Sequence, residues 1–214
     1  MTASHWAPEP VEGHQPSARL LIVGPQGSGK GTQGVRIAEA FGIPVISTGD
    51  MFRANIKEGT PLGQQVTEIL DKGDLVPDEL TSEIVRDRLS QTDAAGGFLL
   101  DGYPRNVAQV GHLEEFLADR GESLDAVIVL DVPRAESMAR LGLRAAEQGR
   151  SDDTDEAIAH RLDIYEKETA PIVEVYQDKG IVDRIDGTGE LDAITERISA
   201  ALAARGLRVV ASAS

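Results

Sequence analysis

A glycine-rich loop directly after an apolar run constrains this chain more than any other feature of its sequence. Residues 20–33 read LLIVGPQGSGKGTQ, an apolar stretch followed by four glycines around Lys30. From Gly24 to Lys30 the chain matches the first part of the phosphate-loop pattern G-x-x-x-x-G-K-[ST], between an apolar strand and a helix expected to begin near Gly31. Because strand, spacing, lysine and helix coincide, we interpret the loop as a phosphate cradle and not as a plain turn.

Each part of this loop has a physical role in binding phosphate. Backbone N–H groups of a glycine-rich turn can close on phosphate oxygens, and the helix that follows adds its positive N-terminal end. The Lys30 side chain supplies a mobile positive charge for the β and γ phosphates. Gly31 follows the lysine, and the hydroxyl that the general pattern has there comes one residue later, at Thr32.

Short apolar runs alternate with helical patterns along the rest of the chain. The runs are RLLIV (19–23), PVIS (44–47), GFLLD (97–101), AVIVLD (126–131) and GIVDRI (180–185). Strands that are apolar throughout and alternate with helices predict a parallel sheet covered on both faces, with functional loops at the carboxyl ends of its strands. Near the end of the chain, one face of a helix is predicted by the spacing of Leu191, Ile194, Ile198 and Leu202.

Length, charge and composition exclude several classes of protein. The 214 residues suit one domain, and the absence of cysteine excludes disulfides and cysteine zinc sites. A net charge of −15 argues against general binding to nucleic acid, but it allows a small phosphorylated ligand if the cations are gathered in one place. Residues 1–17 are predicted to be a disordered tail without the apolar core of a signal peptide, and no apolar run approaches the ~20 residues of a membrane span. A cytoplasmic protein without membrane contact is expected.

Two further segments combine a turn with an arginine. In ISTGDMFR, residues 46–53, Arg53 follows a typical helix start, and by itself this pattern predicts an N-cap and an exposed helical arginine. In GFLLDGYPRNVAQ, residues 97–109, an apolar strand ends at Asp101 and a Gly-Tyr-Pro turn presents Arg105. Guanidinium groups match phosphate bidentately, so beside a phosphate loop both arginines are candidates for a second phosphate site.

A third segment, residues 139–172, is rich in arginine. Exposed helical arginines are usually solvated, and composition alone favours that interpretation here. The arginines of this segment are Arg140, Arg144, Arg150 and Arg161.

Taken together, these segments resemble the nucleoside monophosphate kinases, and the adenylate kinase family in particular. The resemblance rests on GSGKGTQ, ISTGDMFR, GDLVPDEL (73–80), DGYPRNVAQ and the arginine-rich segment, in the family's order from about Arg19 to Leu202. It implies an α/β P-loop NTPase fold, a five-stranded parallel sheet flanked by helices, over residues 18–206. Within it the resemblance implies an AMP-binding lobe at 48–77 and a short lid at 141–152, with a C-terminal tail at 207–214.

The resemblance also implies an AMP site. Thr48 would lie near the adenine base, Leu75 and Val76 would line it, and the amide of Gln109 would pair with its N1/N6 edge. The implied site further contains Arg53 and Arg105 on the AMP phosphate, with Gly102, Arg150 and Arg161. Asp101 would hold Mg²⁺ through water.

An ATP site and a lid follow from the same resemblance. The phosphate-binding arginines of the lid correspond to Arg140, Arg150 and Arg161. The arginine near the ATP base and ribose corresponds to Arg144. Gly189, in IDGTG (185–189), would contact the ATP adenine through its backbone. The implied phosphate loop consists of Gly27, Ser28, Gly29, Lys30, Gly31 and Thr32. The short spacing between Arg144 and Arg150 excludes a long lid with a zinc site.

The activity implied is Mg²⁺-dependent transfer of the terminal phosphoryl group of ATP to AMP, giving two ADP, by a monomer. Charge stabilisation by Lys30, Arg105, Arg140, Arg150 and Arg161 would carry catalysis without a general base. One alternative is a UMP/CMP kinase, with which the chain shares Asn106, although Thr48 and Gln109 favour AMP. A catalytically silent adenine-nucleotide sensor is the other alternative.

Three positions depart from the family's pattern. Gln26 stands where the family usually has proline, so the stiffness of the loop, and the rate, are expected to differ. Gly189 stands where a lysine is common, at a contact made by backbone. The N-terminal tail has no counterpart in typical short members.

Overall fold

The structure is a computed structural model that describes residues 18–148 and 154–209, without the side chains of residues 144–148. Several predicted features therefore lie outside the described part. They are the tail at residues 1–17, the side chain of Arg144, the whole of Arg150 and the last residues of the chain. Within the described part, no helix is long and apolar enough to cross a membrane.

A five-stranded parallel sheet forms the centre of the molecule. Its strands lie in the order β2-β3-β1-β4-β5, and every neighbouring pair is parallel. Each strand falls on one of the apolar runs, so the predicted α/β fold is confirmed. The strands are β1 (Ala18–Val23), β2 (Val45–Ser47), β3 (Gly97–Asp101), β4 (Ala126–Asp131) and β5 (Val182–Asp186).

Helices connect the strands and cover both faces of the sheet. A short 3₁₀ turn precedes β3, and a π-helix separates α7 from α8. The α-helices are α1 (Lys30–Phe41), α2 (Thr48–Glu58), α3 (Pro61–Lys72), α4 (Asp78–Leu89), α5 (Val107–Asp119), α6 (Arg134–Gln148), α7 (Asp155–Ile164), α8 (Ile172–Asp178) and α9 (Leu191–Ala204); the 3₁₀ turn is Thr92–Ala94 and the π-helix Tyr165–Thr169.

Alternate residues of the strands feed two hydrophobic clusters, one on each face of the sheet. Leu21 of β1 belongs to the cluster with α5 and α8, whereas its neighbour Leu20 belongs to the cluster with α1 and α9. The long apolar runs of the sequence exist because a sheet covered on both faces buries successive side chains. Burial of a Leu or Ile side chain contributes about 1.5–3 kcal/mol, so these clusters fix the sheet that carries the site.

The packed chain extends to its last described residues. Val209 is buried in the cluster with α1 and α9, so packing continues past residue 206. In α9, Ile194, Ile198 and Leu202 are buried as the periodicity predicts. Leu191, the first residue of that helix, is exposed, and its carbonyl oxygen accepts a 2.9 Å hydrogen bond from Nε2 of Gln33.

A third cluster lies apart from the sheet. Phe52 of α2, Val66 of α3 and Val76 pack with neighbouring apolar residues from α2 to α4. The helices α2 and α3 approach closely at Gly63, where a Cβ would lie 2.2 Å from the carbonyl oxygen of Asn55. This cluster holds residues 48–77 together as a unit beside the carboxyl edge of the sheet.

Candidate active site

The phosphate loop lies between the carboxyl end of β1 and the start of α1. Gly27 has a φ of +79° and Gly29 a φ of +92°, a region that residues with a Cβ rarely adopt. At Gly27 a Cβ would also lie 2.5 Å from the carbonyl oxygen of Ser137 in α6. The loop is therefore turned by its glycines and packed closely against α6.

Lys30 folds back over this loop. Its Nζ donates hydrogen bonds of 2.6 Å to the carbonyl oxygen of Gly24 and 2.8 Å to that of Pro25. The carbonyl oxygens hold the ammonium group at the mouth of the loop, where the sequence places it. In the same loop, the amide oxygen Oε1 of Gln26 is buried without a hydrogen-bond partner in the described part of the chain.

Asp101 and Arg105 form the electrostatic centre of the site. Burial raises the pKa of Asp101, and the positive charges of Lys30 and Arg105 oppose that shift. Burial lowers the pKa of Arg105, and Asp101 opposes it; a guanidinium nevertheless stays protonated in proteins. Nε of Arg105 donates a 2.7 Å hydrogen bond to the carbonyl oxygen of Gly102, which orients the guanidinium.

The candidate monophosphate side begins at α2. Ser47 caps this helix by accepting a hydrogen bond from the backbone N–H of Asp50. One turn on, Arg53 forms a 2.5 Å ion pair with Asp50 and lines the same cavity as Arg105. Thr48 is buried, and its hydroxyl donates a 2.9 Å hydrogen bond to the carbonyl oxygen of Gly102.

A smaller cavity of about 30 Å³ adjoins these residues. Gln109 is almost fully buried, with 1% of its surface exposed, yet its side chain borders this cavity. The cavity brings together every residue that the sequence assigned to the AMP base, namely Thr48, Leu75, Val76 and Gln109.

Two arginines from the arginine-rich segment reach the site. Arg140 of α6 pairs with Glu136 and donates to the carbonyl oxygens of Ser28, at 3.4 Å, and Gly187, at 3.1 Å. It therefore bridges the phosphate loop and the 185–189 segment assigned to the ATP base. Arg161 of α7 donates a 2.9 Å hydrogen bond to the carbonyl oxygen of Leu70 in α3. Thr154 caps α7 by accepting a hydrogen bond from the backbone N–H of Ala157.

One cavity of about 840 Å³ collects these groups. A volume of this size is ordinary for a ligand site, and it spans the phosphate loop and the candidate monophosphate side. The predicted cations on its wall are Lys30, Arg53, Arg105, Arg140 and Arg161. The negative net charge of the chain therefore coexists with a positive cleft, as a phosphorylated ligand requires.

The structure adds wall residues that the sequence did not single out. Arg36 lies one helical turn after Thr32 and borders the cavity, and i, i+4 spacing from the loop hydroxyl could have indicated it. Tyr165 and Thr169 reach the cavity from the π-helix. The i to i+5 hydrogen bonds of a π-helix are not indicated by the apolar periodicity of the sequence.

The remaining predicted site residues have simpler placements. Gly31 and Thr32 line the cavity at the start of α1, and Gly189 has a φ of +93° in the loop before α9. No group of three or more His, Asp or Glu side chains suited to a metal ion occurs among residues 18–148 and 154–209.

A parallel sheet with a phosphate loop at its carboxyl edge, beside a cation-lined cleft, defines a P-loop nucleotide-binding protein. The family model described as adenylate kinase matches residues 22–181 of the chain. An adenylate kinase of Kocuria rhizophila is 58% identical over 184 residues, covering 86% of this chain and 98% of the relative. Adenylate kinases of Clavibacter michiganensis (57% identity, 89% of this chain, 95% of the relative) and Bifidobacterium longum (55%, 84% and 97%) are similar to comparable extents.

The chain belongs to the adenylate kinase family and is a phosphotransferase enzyme. Because these relatives are all named adenylate kinase, the comparisons do not favour the two alternatives, a UMP/CMP kinase and a catalytically silent sensor.

Proposed function

We propose that this enzyme catalyses the reversible transfer of the terminal phosphoryl group of ATP to AMP, giving two ADP, with the residue roles assigned above. The observation that carries the proposal is the single 840 Å³ cavity, which borders the phosphate loop as well as Arg53 and Arg105. Both phosphate-binding regions can then present their phosphates to each other, and holding reactants in line supplies much of the rate enhancement.

Charge stabilisation is the chemistry that these residues supply. Phosphoryl transfer passes through a loose transition state with charge spread over the oxygens of the transferred group, which leaves little for a covalent catalyst to do. Lys30 exchanges its contacts with loop carbonyls for the β and γ phosphates of ATP. Arg53, Arg105 and Arg161 hold the AMP phosphate, which is already ionised at pH 7, so no general base is needed.

The donors present fit magnesium that arrives with ATP. Mg²⁺ keeps several waters and is commonly bound by one or two carboxylates together with substrate phosphates. Asp101 offers such a carboxylate close to the start of α1. A Cβ built on Gly31, which follows Lys30, would lie 3.9 Å from its Oδ2. Asp101 would hold the metal through water, and the metal would neutralise phosphate charge.

The arginines of the lid complete the proposal. We assign Arg150 to the transferred phosphate and Arg144 to the ATP base and ribose, as the family's pattern implies. The segment 141–152 closes over ATP, and the lobe at 48–77 over AMP, so that water is excluded from the phosphoryl group. The enzyme acts as a monomer in the cytoplasm.

³¹P NMR of the purified protein with Mg·ATP tests this proposal. Separate tubes contain AMP, CMP, UMP or GMP, and a further AMP tube contains EDTA in excess of Mg²⁺. ADP formation with AMP, abolished by EDTA, is expected. Turnover with CMP or UMP in place of AMP would overturn the assignment of the base, and bound nucleotide without turnover in any tube would identify a sensor.

A further inference from the structure

The amide of Gln109 is held at both ends, by the side chain of Asp78 and by the backbone of Arg105. Nε2 donates a 2.7 Å hydrogen bond to Oδ1 of Asp78, and Oε1 accepts a 2.8 Å hydrogen bond from the backbone N–H of Arg105. The side chain is buried, so both hydrogen bonds are largely shielded from solvent. Each amide atom keeps one further hydrogen-bonding capacity, a second N–H on Nε2 and a second lone pair on Oε1.

The chemistry of the two partners permits only one orientation of this amide. A carboxylate accepts and a backbone N–H donates, so neither can exchange roles. Rotating the amide by 180° would place Oε1 against the Asp78 oxygen and Nε2 against the Arg105 N–H. Two buried hydrogen bonds would be replaced by two unsatisfied, repulsive contacts, which is costly for buried polar groups.

The carboxylate of Asp78 is itself held in place by a neighbouring side chain. It lies in the first turn of α4, and the same Oδ1 accepts a 2.9 Å hydrogen bond from Nδ2 of Asn106. Asn106 in turn caps α5 by accepting from the N–H of Gln109. The carboxylate therefore orients the Gln109 amide from across a gap of 31 residues in the chain.

A fixed amide distinguishes two classes of purine. The 6-aminopurine edge offers a donor at N6 and an acceptor at N1, which match the remaining lone pair of Oε1 and the remaining N–H of Nε2. A 6-oxopurine reverses both roles, with an acceptor at O6 and a donor at N1. Only a rotated amide could pair with that edge.

We propose that Asp78 is a positioning residue that selects 6-aminopurine over 6-oxopurine monophosphates by holding the Gln109 amide in one orientation. This inference rests on the proposed AMP site, which gives Gln109 its base. Asp78 does not contact the nucleotide; it acts through Gln109.

The variant Asp78→Asn tests the proposal directly. An asparagine amide can present either an acceptor or a donor to Gln109, so the rotated orientation regains a partner. The affinity for IMP relative to AMP is expected to rise about tenfold or more, the scale of one bidentate base contact. The matched control is Glu79→Gln, which makes the same change at the next residue, an exposed position in the same helical turn.

Two readouts separate positioning from a loss of structure. Isothermal titration calorimetry gives the dissociation constants of AMP and IMP without turnover, and thermal denaturation reports the fold of each variant. In the Gln109→Ala background, Asp78→Asn should no longer change the IMP:AMP ratio, because the residue through which it acts is gone. The KM for ATP should not change in Asp78→Asn.

The outcomes are distinct. An unchanged IMP:AMP ratio in Asp78→Asn, or equal binding of AMP and IMP by the natural sequence, overturns the role of Asp78. A changed ratio that persists in the Gln109→Ala background shows that Asp78 acts by another route and also overturns it. The proposed function fails separately, if the natural protein forms no ADP from ATP and AMP, whatever the binding ratios are.

Discussion

Oγ1 of Thr169 donates a 2.8 Å hydrogen bond to the backbone carbonyl oxygen of Arg105, and this bond joins the π-helix to the loop of the candidate AMP site. Both residues also border the central cavity. A π-helix commonly marks a functional position, because its extra residue per turn changes where the side chains point. Here it places a hydroxyl beneath a candidate phosphate-binding arginine.

Thr169→Val should therefore impair the use of AMP. Valine keeps the shape of threonine but leaves the Arg105 carbonyl without this donor, at a cost of about 1 kcal/mol in the free energy of unfolding. We expect the KM for AMP to rise about two- to tenfold, with the KM for ATP unchanged. Steady-state kinetics with each substrate varied in turn provides the measurement.

Thr169→Ser is the matched control, because it keeps the hydroxyl and loses only a methyl group. If Thr169→Ser and Thr169→Val alter the KM for AMP equally, the hydrogen bond to Arg105 is not what positions the arginine.

Lys30→Met should abolish most turnover while leaving the protein folded. The lysine lies at the mouth of the phosphate loop, where charge develops on the transferred group, and methionine keeps the length without the charge. The expected loss in kcat is about 10²-fold or more, measured by coupled ADP assay.

Lys57→Met removes the same charge from an exposed position of α2, and it should leave kcat unchanged. Near-normal turnover of Lys30→Met at an unchanged melting temperature would contradict the mechanism.

Gln109→Asn should weaken the discrimination in favour of AMP. The side chain becomes one methylene shorter, so its amide cannot keep the bonds to Asp78 and Arg105 and still reach a base. The KM for AMP should rise by about tenfold, the scale of a lost bidentate contact, with ATP binding intact. Gln65→Asn, on an exposed face of α3, is the control and should behave as the natural sequence. Selective loss of ATP binding in Gln109→Asn would place Gln109 at the wrong nucleotide.

Gly63→Ala should destabilise the packing of α2 against α3. A Cβ there would lie 2.2 Å from the carbonyl oxygen of Asn55, so the helices must separate. Overpacking of this kind costs about 1–3 kcal/mol, measurable by urea denaturation. Gly111→Ala, in α5 with open space around it, should instead stabilise the protein by about 0.5–1 kcal/mol. Equal effects of the two alanines would show that the contact is not tight.

The tyrosines predict how the protein responds to alkali. Burial raises the pKa of Tyr103 and of Tyr176 above the ordinary value. It raises the pKa of Tyr165 to about 12. These are the chain's three tyrosines. A tyrosine whose pKa is higher in the folded state stabilises the fold below the unfolded pKa near 10, and that stability is lost as the pH rises toward 12. Absorbance at 295 nm should therefore rise together with unfolding; titration near pH 10 in a folded protein would contradict the burial.

The features that the sequence predicted are those that depend on local motifs. The strands, the phosphate loop and the cap at Ser47 depend on residues close together in the chain, so a short stretch of sequence is enough to predict them. Leu191 begins α9 as the spacing predicts, but it is exposed because the first residue of this helix lies at its rim. The roles of the individual site residues stay predictions until the variants are measured.

The sequence by itself determined the family, the parallel sheet and the position of the phosphate loop. Only the tertiary structure decided which distant side chains meet: Asp78 with Gln109, Thr169 with Arg105, and Arg161 with the carbonyl of Leu70. The physical reason is that a hydrogen bond depends on ångström-scale distance and on donor direction. Between segments far apart in the chain, these are fixed by how helices pack on the sheet, and no local pattern encodes that packing.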